Sequence, residues 1–490
     1  MTLLSATDIT VLDGAVRLVA PVSLTLNPGE PLVILGETGS GKSLLAQAIM
    51  GTLPASLRAT GVVCIGGRSL PAGDRAAFRG LWGRQIAVLP QEPWLSLDPL
   101  MRAAPQVAEA HRLVRGLPGG AARDRAARDL QALGLGAASA LYPHQLSGGM
   151  AQRVAIAAAR AGGAPIVIAD EPTKGLDAAR RDDVAELLLG ALARGGGLLV
   201  ITHDLALARR IGGRLMVLRD GAVLETGATS AVLSAPQAAY TRELIAADPE
   251  SWSRRVAPSE AGQTVLEARD LTLSRGGQRL VDGLTLELRA GRILGITGPS
   301  GCGKSSLGDA LLGMLTPERG QITRARGLAP TAFQKLWQDP VAAFPRTRPL
   351  GQTLRDVARL HAAPPDRIGG LLDRLRLAPG LLARRPGSVS GGELQRLALL
   401  RAMLAKPRFI FADEPTSRLD PITQRDIIGL LADLARSDGL AIALVSHDPV
   451  LIERVADVTT CLPMQEGRKS ARDAAIRRKD RGMERPAILR

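Results

Sequence analysis

Short apolar runs punctuate this chain at wide intervals: PLVIL (31–35), PIVIA (165–169), GLLVIT (197–202) and AIALVS (441–446), each bounded by Gly, Pro or charge. Runs of this length without polar alternation fit strands buried on both faces, as in a parallel sheet. Helical patterns fill the intervals, and the alternation of strand with helix predicts an α/β layered sheet.

The pattern is written twice. PLVILGETGSGKSLLAQAIMGTLP (31–54) matches RILGITGPSGCGKSSLGDALLGMLTP (292–317), IVIADEPTKGLD (166–177) matches FIFADEPTSRLD (409–420), and LLVITHD (198–204) matches IALVSHD (442–448). So long a repeat reads as domain duplication and not as a solenoid. The polar, Pro- and Gly-bearing stretch ELIAADPESWSRRVAPSEAGQ (243–263) interrupts it. The expected organisation is a first domain over 1–248, a linker over 249–263, a second domain over 264–464 and a basic tail over 465–490.

Composition sharpens this picture. With 490 residues, two to four domains are expected; with 46% hydrophobic residues but only 5 Phe, 4 Trp and 2 Tyr, their cores must be aliphatic. The net charge of +15 suits phosphate, nucleic acid or anionic lipid. Residues 466–490 alone hold nine Arg/Lys against four Asp/Glu, a composition that fits a solvated tail, with anionic lipid as its candidate partner. Three cysteines, Cys64, Cys302 and Cys461, have no disulfide or metal-site spacing and fit a reducing cytosol. No apolar run approaches the roughly 18 to 20 residues that cross a bilayer, and the first residues lack signal-peptide order, so any membrane component is expected on other chains.

The chemistry lies in the repeated segments. GETGSGKS sets Gly36, Gly39 and Gly41 before Lys42 and Ser43; GPSGCGKS sets Gly298, Gly301 and Gly303 before Lys304 and Ser305. Each follows a predicted strand and opens a helix. There, glycines let backbone N–H groups turn around a β-phosphate, Lys reaches the β/γ oxygens and Ser binds Mg²⁺. Asp170-Glu171 and Asp413-Glu414 end the next apolar runs at the carboxyl edge of the sheet, where ligands bind. Asp170 and Asp413 are expected in the Mg²⁺ shell, and Glu171 and Glu414 are expected to polarise an attacking water. His203 and His447 follow strands at matched positions, toward a γ-phosphate or its water. Two Ser-Gly-Gly turns, in YPHQLSGGMAQR (142–153) and GSVSGGELQR (387–396), precede helices and stand 23 residues before the acidic pair in both copies.

Together these motifs resemble a tandem ATP-binding cassette protein, the ATPase component of an ABC transporter, over residues 5 to about 460. The resemblance implies two P-loop NTPase cassettes in tandem, each a mainly parallel sheet core with an antiparallel β subdomain and a helical signature subdomain. It implies that each signature turn serves the other cassette: Ser147, Gly148 and Gly149 closing on ATP held by Lys304, and Ser390, Gly391 and Gly392 on ATP held by Lys42. Gln91 and Gln338 match the Q-loop glutamine, and Asp177 and Asp420 the D-loop aspartate. QEPWLSLDPL (91–100), QDPVAAFPRTRPLGQTL (338–354) and APQAAYTRELI (235–245) resemble the peptide/nickel-type importer branch. That branch implies ATP and Mg²⁺ as cofactors, two integral-membrane permease subunits and an extracytoplasmic solute-binding protein as partners, and a peripheral place on the cytoplasmic face of the inner membrane, without nucleic acid.

A cytosolic tandem-cassette ATPase acting on ribosomes or nucleic acid is the alternative that the basic charge favours. Proteins of that kind resembling translation factors carry a long charged linker and an EPTNHLD-like segment, whereas this chain has EPTKGLD and EPTSRLD. A non-hydrolysing regulatory pair is disfavoured by the presence of both glutamates. Three departures from the family stand out. No aromatic precedes Phe78, or lies between Trp252 and Phe333, to stack on adenine, so Val11, Leu12 and Arg275 are the expected cover. The second copy lacks the strand that returns after RLMVLRDGAVLETG (214–227), whose Asp220-Gly221 reads as a hairpin turn. Cys302 lies inside the second P-loop, where alkylation is expected to block nucleotide.

Overall fold

The computed structural model describes residues 2–463 apart from 175, 177, 257–261 and 300; the basic tail and the D-loop residue Asp177 lie outside the described residues. The chain divides into two compact units, essentially residues 1–248 and 249 onward.

In the first unit, β1 (Leu4–Asp13), β2 (Val16–Leu26), β4 (Arg58–Ile65) and β5 (Arg68–Pro71) form an antiparallel sheet of order β2-β1-β4-β5. A second sheet has the order β10-β9-β3-β8-β7-β6, built from β3 (Pro31–Leu35), β6 (Ile86–Leu89), β7 (Ile166–Asp170), β8 (Gly197–Thr202), β9 (Arg214–Arg219) and β10 (Ala222–Ala228). All its pairings are parallel except that of β9 with β10. The apolar runs read from the sequence are its central strands, and every residue of β3 and β8 is buried. Helix α1 (Lys42–Met50) packs between the two sheets, and α2 (Arg75–Phe78) places Phe78 in the same core. Helices α3 (Ala103–Arg115), α4 (Gly119–Ala132) and α5 (Gly148–Ala161) form a separate helical layer, whose core is mostly alanine around Val107, Leu130 and Val154. Along the other face of the parallel sheet run α6 (Ala178–Leu189), α7 (Leu205–Ile211), α8 (Thr229–Ser234) and α9 (Ala239–Ala246).

The second unit repeats the plan with fewer parts. Strands β11 (Thr264–Arg275), β12 (Gln278–Arg289) and β14 (Arg319–Arg324) make the antiparallel sheet. Strands β13 (Ile293–Thr297), β15 (Phe333–Leu336), β16 (Phe409–Asp413), β17 (Ala441–Val445) and β18 (Val458–Cys461) make a wholly parallel one, of order β15-β16-β17-β13-β18. Helix α10 (Lys304–Leu311) follows the P-loop. Helices α11 (Leu350–Leu360), α12 (Arg367–Arg374) and α13 (Gly391–Leu404) form the helical layer, here filled with leucines. Helices α14 (Pro421–Asp438) and α15 (Pro449–Val455) cover the sheet. Among the described residues no antiparallel partner follows β18, and the residues from 464 on, on which the expectation of a missing return strand bears, lie outside the described residues. No described helix is long and apolar enough to cross a membrane.

Part of the segment expected as linker is docked on this unit. Trp252 packs against its core, the Arg255 N–H donates to Arg454 O at 2.7 Å, and the Arg255 guanidinium meets Asp457 at 2.5 Å.

Candidate nucleotide sites

Strand order brings the motif residues to one edge in each unit. The P-loop follows β3, His203 follows β8, Asp170-Glu171 ends β7 and Gln91 follows β6. Since β3, β8, β7 and β6 are parallel neighbours, all four loops emerge side by side at the carboxyl edge. β13, β17, β16 and β15 do the same for the P-loop of residues 298–305, His447, Asp413-Glu414 and Gln338.

Each P-loop wraps its lysine. Gly41 (φ 94°) and Gly303 (φ 112°) cap α1 and α10 in the left-handed region, a conformation that side chains disfavour. Lys42 Nζ donates to Gly36 O at 2.8 Å and Glu37 O at 2.7 Å; Lys304 Nζ donates to Gly298 O at 2.8 Å and Pro299 O at 3.2 Å. Carbonyls of its own loop therefore hold each ammonium. Burial pushes the Lys42 ammonium below its ordinary pKa, with Glu171 and Asp170 opposing that shift.

Ser43 Oγ donates to Asp170 Oδ1 at 3.1 Å, and Ser305 is hydrogen-bonded to Asp413. Burial raises the pKa of both aspartates, and the serine bond opposes the rise in each case. One hydroxyl with one carboxylate is the sparse hard-oxygen set that Mg²⁺ accepts when phosphates and water complete its shell. No group of three or more potential ligands among the described His, Cys, Asp and Glu could hold a metal without such help.

Glu171 and Glu414 each adopt φ 48°, a left-handed conformation rare for a non-glycine residue. Their N–H groups donate to Ile201 O at 2.8 Å and Val445 O at 3.2 Å, which fixes the turn at the edge of the neighbouring strand. The same geometry recurs in both copies. His203 Nδ1 lies 2.8 Å from Glu171 Oε2, and His447 Nε2 lies 2.6 Å from Glu414 Oε1. Burial alone would raise the Glu171 pKa and lower that of His203; their mutual attraction outweighs it, leaving Glu171 low and His203 high. Gln338 Nε2 donates to Glu414 Oε2 at 3.0 Å and to Ser417 Oγ at 3.3 Å. Gln91 is exposed, and among the described hydrogen bonds none joins it to Glu171.

The signature serines cap helices. Ser147 Oγ accepts the Met150 N–H, and Ser390 Oγ accepts that of Glu393, whose carboxylate returns a bond from the Ser390 N–H at 2.8 Å. Gly148-Gly149 and Gly391-Gly392 open α5 and α13 behind them. Among the described hydrogen bonds none joins either turn to the P-loop of its own unit.

One expectation is corrected. Val11 is fully buried in the core as part of β1 and cannot cover adenine; Arg275, with its side chain 69% exposed, remains accessible. Cys302 is 3% exposed and burial raises its thiol pKa, both of which slow reaction with an alkylating reagent. A feature that sequence reasoning missed is Tyr240 on α9: its hydroxyl accepts the Glu37 N–H of the first P-loop at 2.8 Å, and Arg219 lies over its ring.

Comparison with known proteins agrees with this architecture. The family profile described as ABC transporter matches residues 19–174 and 281–417. The chain is 34% identical over 471 residues to the peptidoglycan transport ATP-binding protein YejF of Agrobacterium fabrum, covering 89% of this chain and 86% of that protein. It is 33% identical over 500 residues to the glutathione import ATP-binding protein GsiA of Escherichia coli K12, covering 89% and 80%. Among solved structures, the RNase-L inhibitor superposes with a TM-score of 0.64 at 20% identity over 95% of this chain and 92% of that one, a likeness of fold. The chain, with two P-loops that each stand beside a glutamate and a histidine at one sheet edge, is thus an ATPase and belongs to the ABC transporter family.

Proposed function

We propose that the chain hydrolyses ATP at two composite sites and thereby powers import of a peptide, nickel or related small solute through partner permease subunits. In this reading the cassettes span 1–248 and 264–464. Lys42 and Lys304 hold the β/γ-phosphates, Ser43 with Asp170 and Ser305 with Asp413 hold Mg²⁺, and Ser147–Gly149 and Ser390–Gly392 each close on the nucleotide of the opposite cassette. Bound Mg²⁺ supplies charge for the phosphates. Glu171 and Glu414 orient and polarise water, while His203 and His447 hold those carboxylates in place and reach toward the γ-phosphate; Gln91 and Gln338 carry the signal to the helical layer. The chain then sits at the cytoplasmic face of the inner membrane, receiving solute from an extracytoplasmic binding protein.

The observation that supports a permease partner is beside Gln91. A cleft of about 360 Å³ runs between β6, the 96–101 segment and α5, lined by Val88, Leu89, Ser96, Asp98, Gln106 and Ala155. Leu95 and Leu100, at its margin in sequence, are 70% and 87% exposed. Exposed leucines beside a cleft suit a docking helix from another chain. The test is to tag the chain in its host, solubilise membranes in mild detergent and identify what co-purifies. Two polytopic membrane proteins, with ATPase activity stimulated by a solute-binding protein, are expected; recovery of ribosomes or nucleic acid, released by salt, would overturn the transport reading.

A further inference from the structure

The two nucleotide sites differ in one pair of buried charges. Three residues before the Q-loop glutamine, the first copy has Val88 and the second has Lys335; five residues after the P-loop lysine, the first has Gln47 and the second Asp309. Lys335 is on β15, opposite Phe411 of β16, so its side chain runs beneath the acidic end of that strand. Its ammonium lies 2.8 Å from Asp309 Oδ1 and 3.6 Å from Asp413 Oδ2, with only 8% of the side chain exposed. The rings of Trp337 and Phe411 flank it at 4.4 and 5.9 Å. Arg275 stands 3.9 Å from the far oxygen of Asp309.

A lysine with so little of its side chain exposed is costly unless paired. Asp309 alone would satisfy that need, yet the ammonium is also within reach of the carboxylate read above as a metal ligand. We propose that Lys335 is a fixed cation built into the second site, a positioning residue that clamps Asp413 and weakens metal binding there, so that the two sites hold metal–nucleotide unequally. The first site has no counterpart at these two positions: Asp170 is held by Ser43, Val88 and Gln47 bring no charge, and Lys42 and Lys174 attract the carboxylate without an ion pair to it among the described residues. A metal entering the second site meets a carboxylate already paired and oriented by a fixed cation; one entering the first meets a carboxylate without such a pair.

This rests on the Mg²⁺ role given to Asp413, and the test separates the two. In the full chain, Mn²⁺ is titrated by electron paramagnetic resonance with a non-hydrolysable ATP analogue present. A Lys42→Ala background isolates the second site and a Lys304→Ala background the first. Combining Lys335→Val with Asp309→Gln, which copies the first site, should tighten Mn²⁺ at the second site by about tenfold and leave the first site unchanged. Lys335→Met alone carries the same prediction should the pair fold poorly, and Lys335→Arg should keep the weaker affinity. A purely structural lysine would give unchanged or weaker binding on neutralisation, and that result overturns the inference. Absence of nucleotide-dependent Mn²⁺ binding at either site would instead overturn the metal assignment beneath it, and the inference with it.

Discussion

Besides Trp252 and the Arg255 N–H, the entry of the chain into the second unit carries one buried ion pair, which Arg255→Met removes. Arg255 Nη1 and Asp457 Oδ2 are 2.5 Å apart, with side chains 7% and 1% exposed. The same oxygen accepts the Ile293 N–H at 2.7 Å, at the first residue of β13, and Arg292 is 3.8 Å from the other oxygen. At an effective dielectric constant of about 20 the direct attraction is about 6–7 kcal/mol, but desolvating both ions takes several kcal/mol from each. The intact pair is therefore close to neutral in net stability. Its rupture is not, because the carboxylate stays buried, and such removals cost about 3–5 kcal/mol. Arg292 can recover a part, so about 3 kcal/mol is expected for Arg255→Met. Urea unfolding read by hydrogen exchange in residues 290–297 and 449–461 follows this unit specifically. Adding Asp457→Asn should recover about 2 kcal/mol, since the amide oxygen still accepts from Ile293 and no charge is stranded. A loss below about 0.5 kcal/mol for Arg255→Met, or simple additivity of the two changes, would refute the buried pairing.

Three further outcomes follow from the site geometry. Glu171→Gln and Glu414→Gln should each lower steady-state ATP turnover by about a hundredfold or more and retain bound ATP; full turnover in either variant would show that its site is dispensable. His203→Gln should destabilise the first unit most between pH 4.5 and 6.5, the ordinary pKa values of the pair. The depressed Glu171 contributes fully above the lower value and fades as pH falls through its folded pKa, and the raised His203 contributes fully below the upper value and fades as pH rises. Equal destabilisation across pH 4 to 9 in thermal melts would count against the charged pair. Tyr240→Phe should strand the Glu37 N–H at a cost of about 1 kcal/mol and raise the nucleotide dissociation constant of the first site several-fold, measured in a Lys304→Ala background; no change would mean that the P-loop holds its shape without α9.

The parallel strands, both P-loops and the acidic pairs were legible because each is local: an unbroken apolar run, then a fixed string of residues. Even so, a local reading cannot tell which way a side chain turns. Val11 lies in a strand with register shifts at Ile9 and Val11, and those irregularities decide that it faces the core. Cys302 lies between two glycines of positive φ, and the loop turns its sulfur inward, so close to Gly298 that a Cβ there would sit 2.8 Å away. The contact of Tyr240 with Glu37 spans 203 residues, and no spacing announces it. Lys335 and Asp309 were visible only by setting one copy against the other, where two charges replace valine and glutamine. The helical layers, and the role of the Ser-Gly-Gly turns, came from resemblance, since the alanine-rich first layer carries little apolar contrast.

The two P-loops also differ in what stands behind them. In both copies the strand beside the loop seals its first glycine: a Cβ on Gly36 would meet Leu218 O at 2.2 Å, and one on Gly298 would meet Leu462 O at 2.6 Å. Beyond that point the first copy continues into the Asp220-Gly221 turn, whose Gly221 N–H donates to Ser40 O at 3.0 Å, and then into α9 with Tyr240 on Glu37. Among the described residues the support of the second loop ends with the Leu462 N–H on Thr297 O at 2.9 Å. A loop whose backbone is already fixed loses less conformational freedom when phosphate binds. Among the described residues the second copy therefore has the smaller scaffold behind its P-loop, and it is also the copy in which Lys335 reaches Asp413. Under the function proposed above, both differences act in one direction, toward a first site that holds nucleotide more firmly than the second.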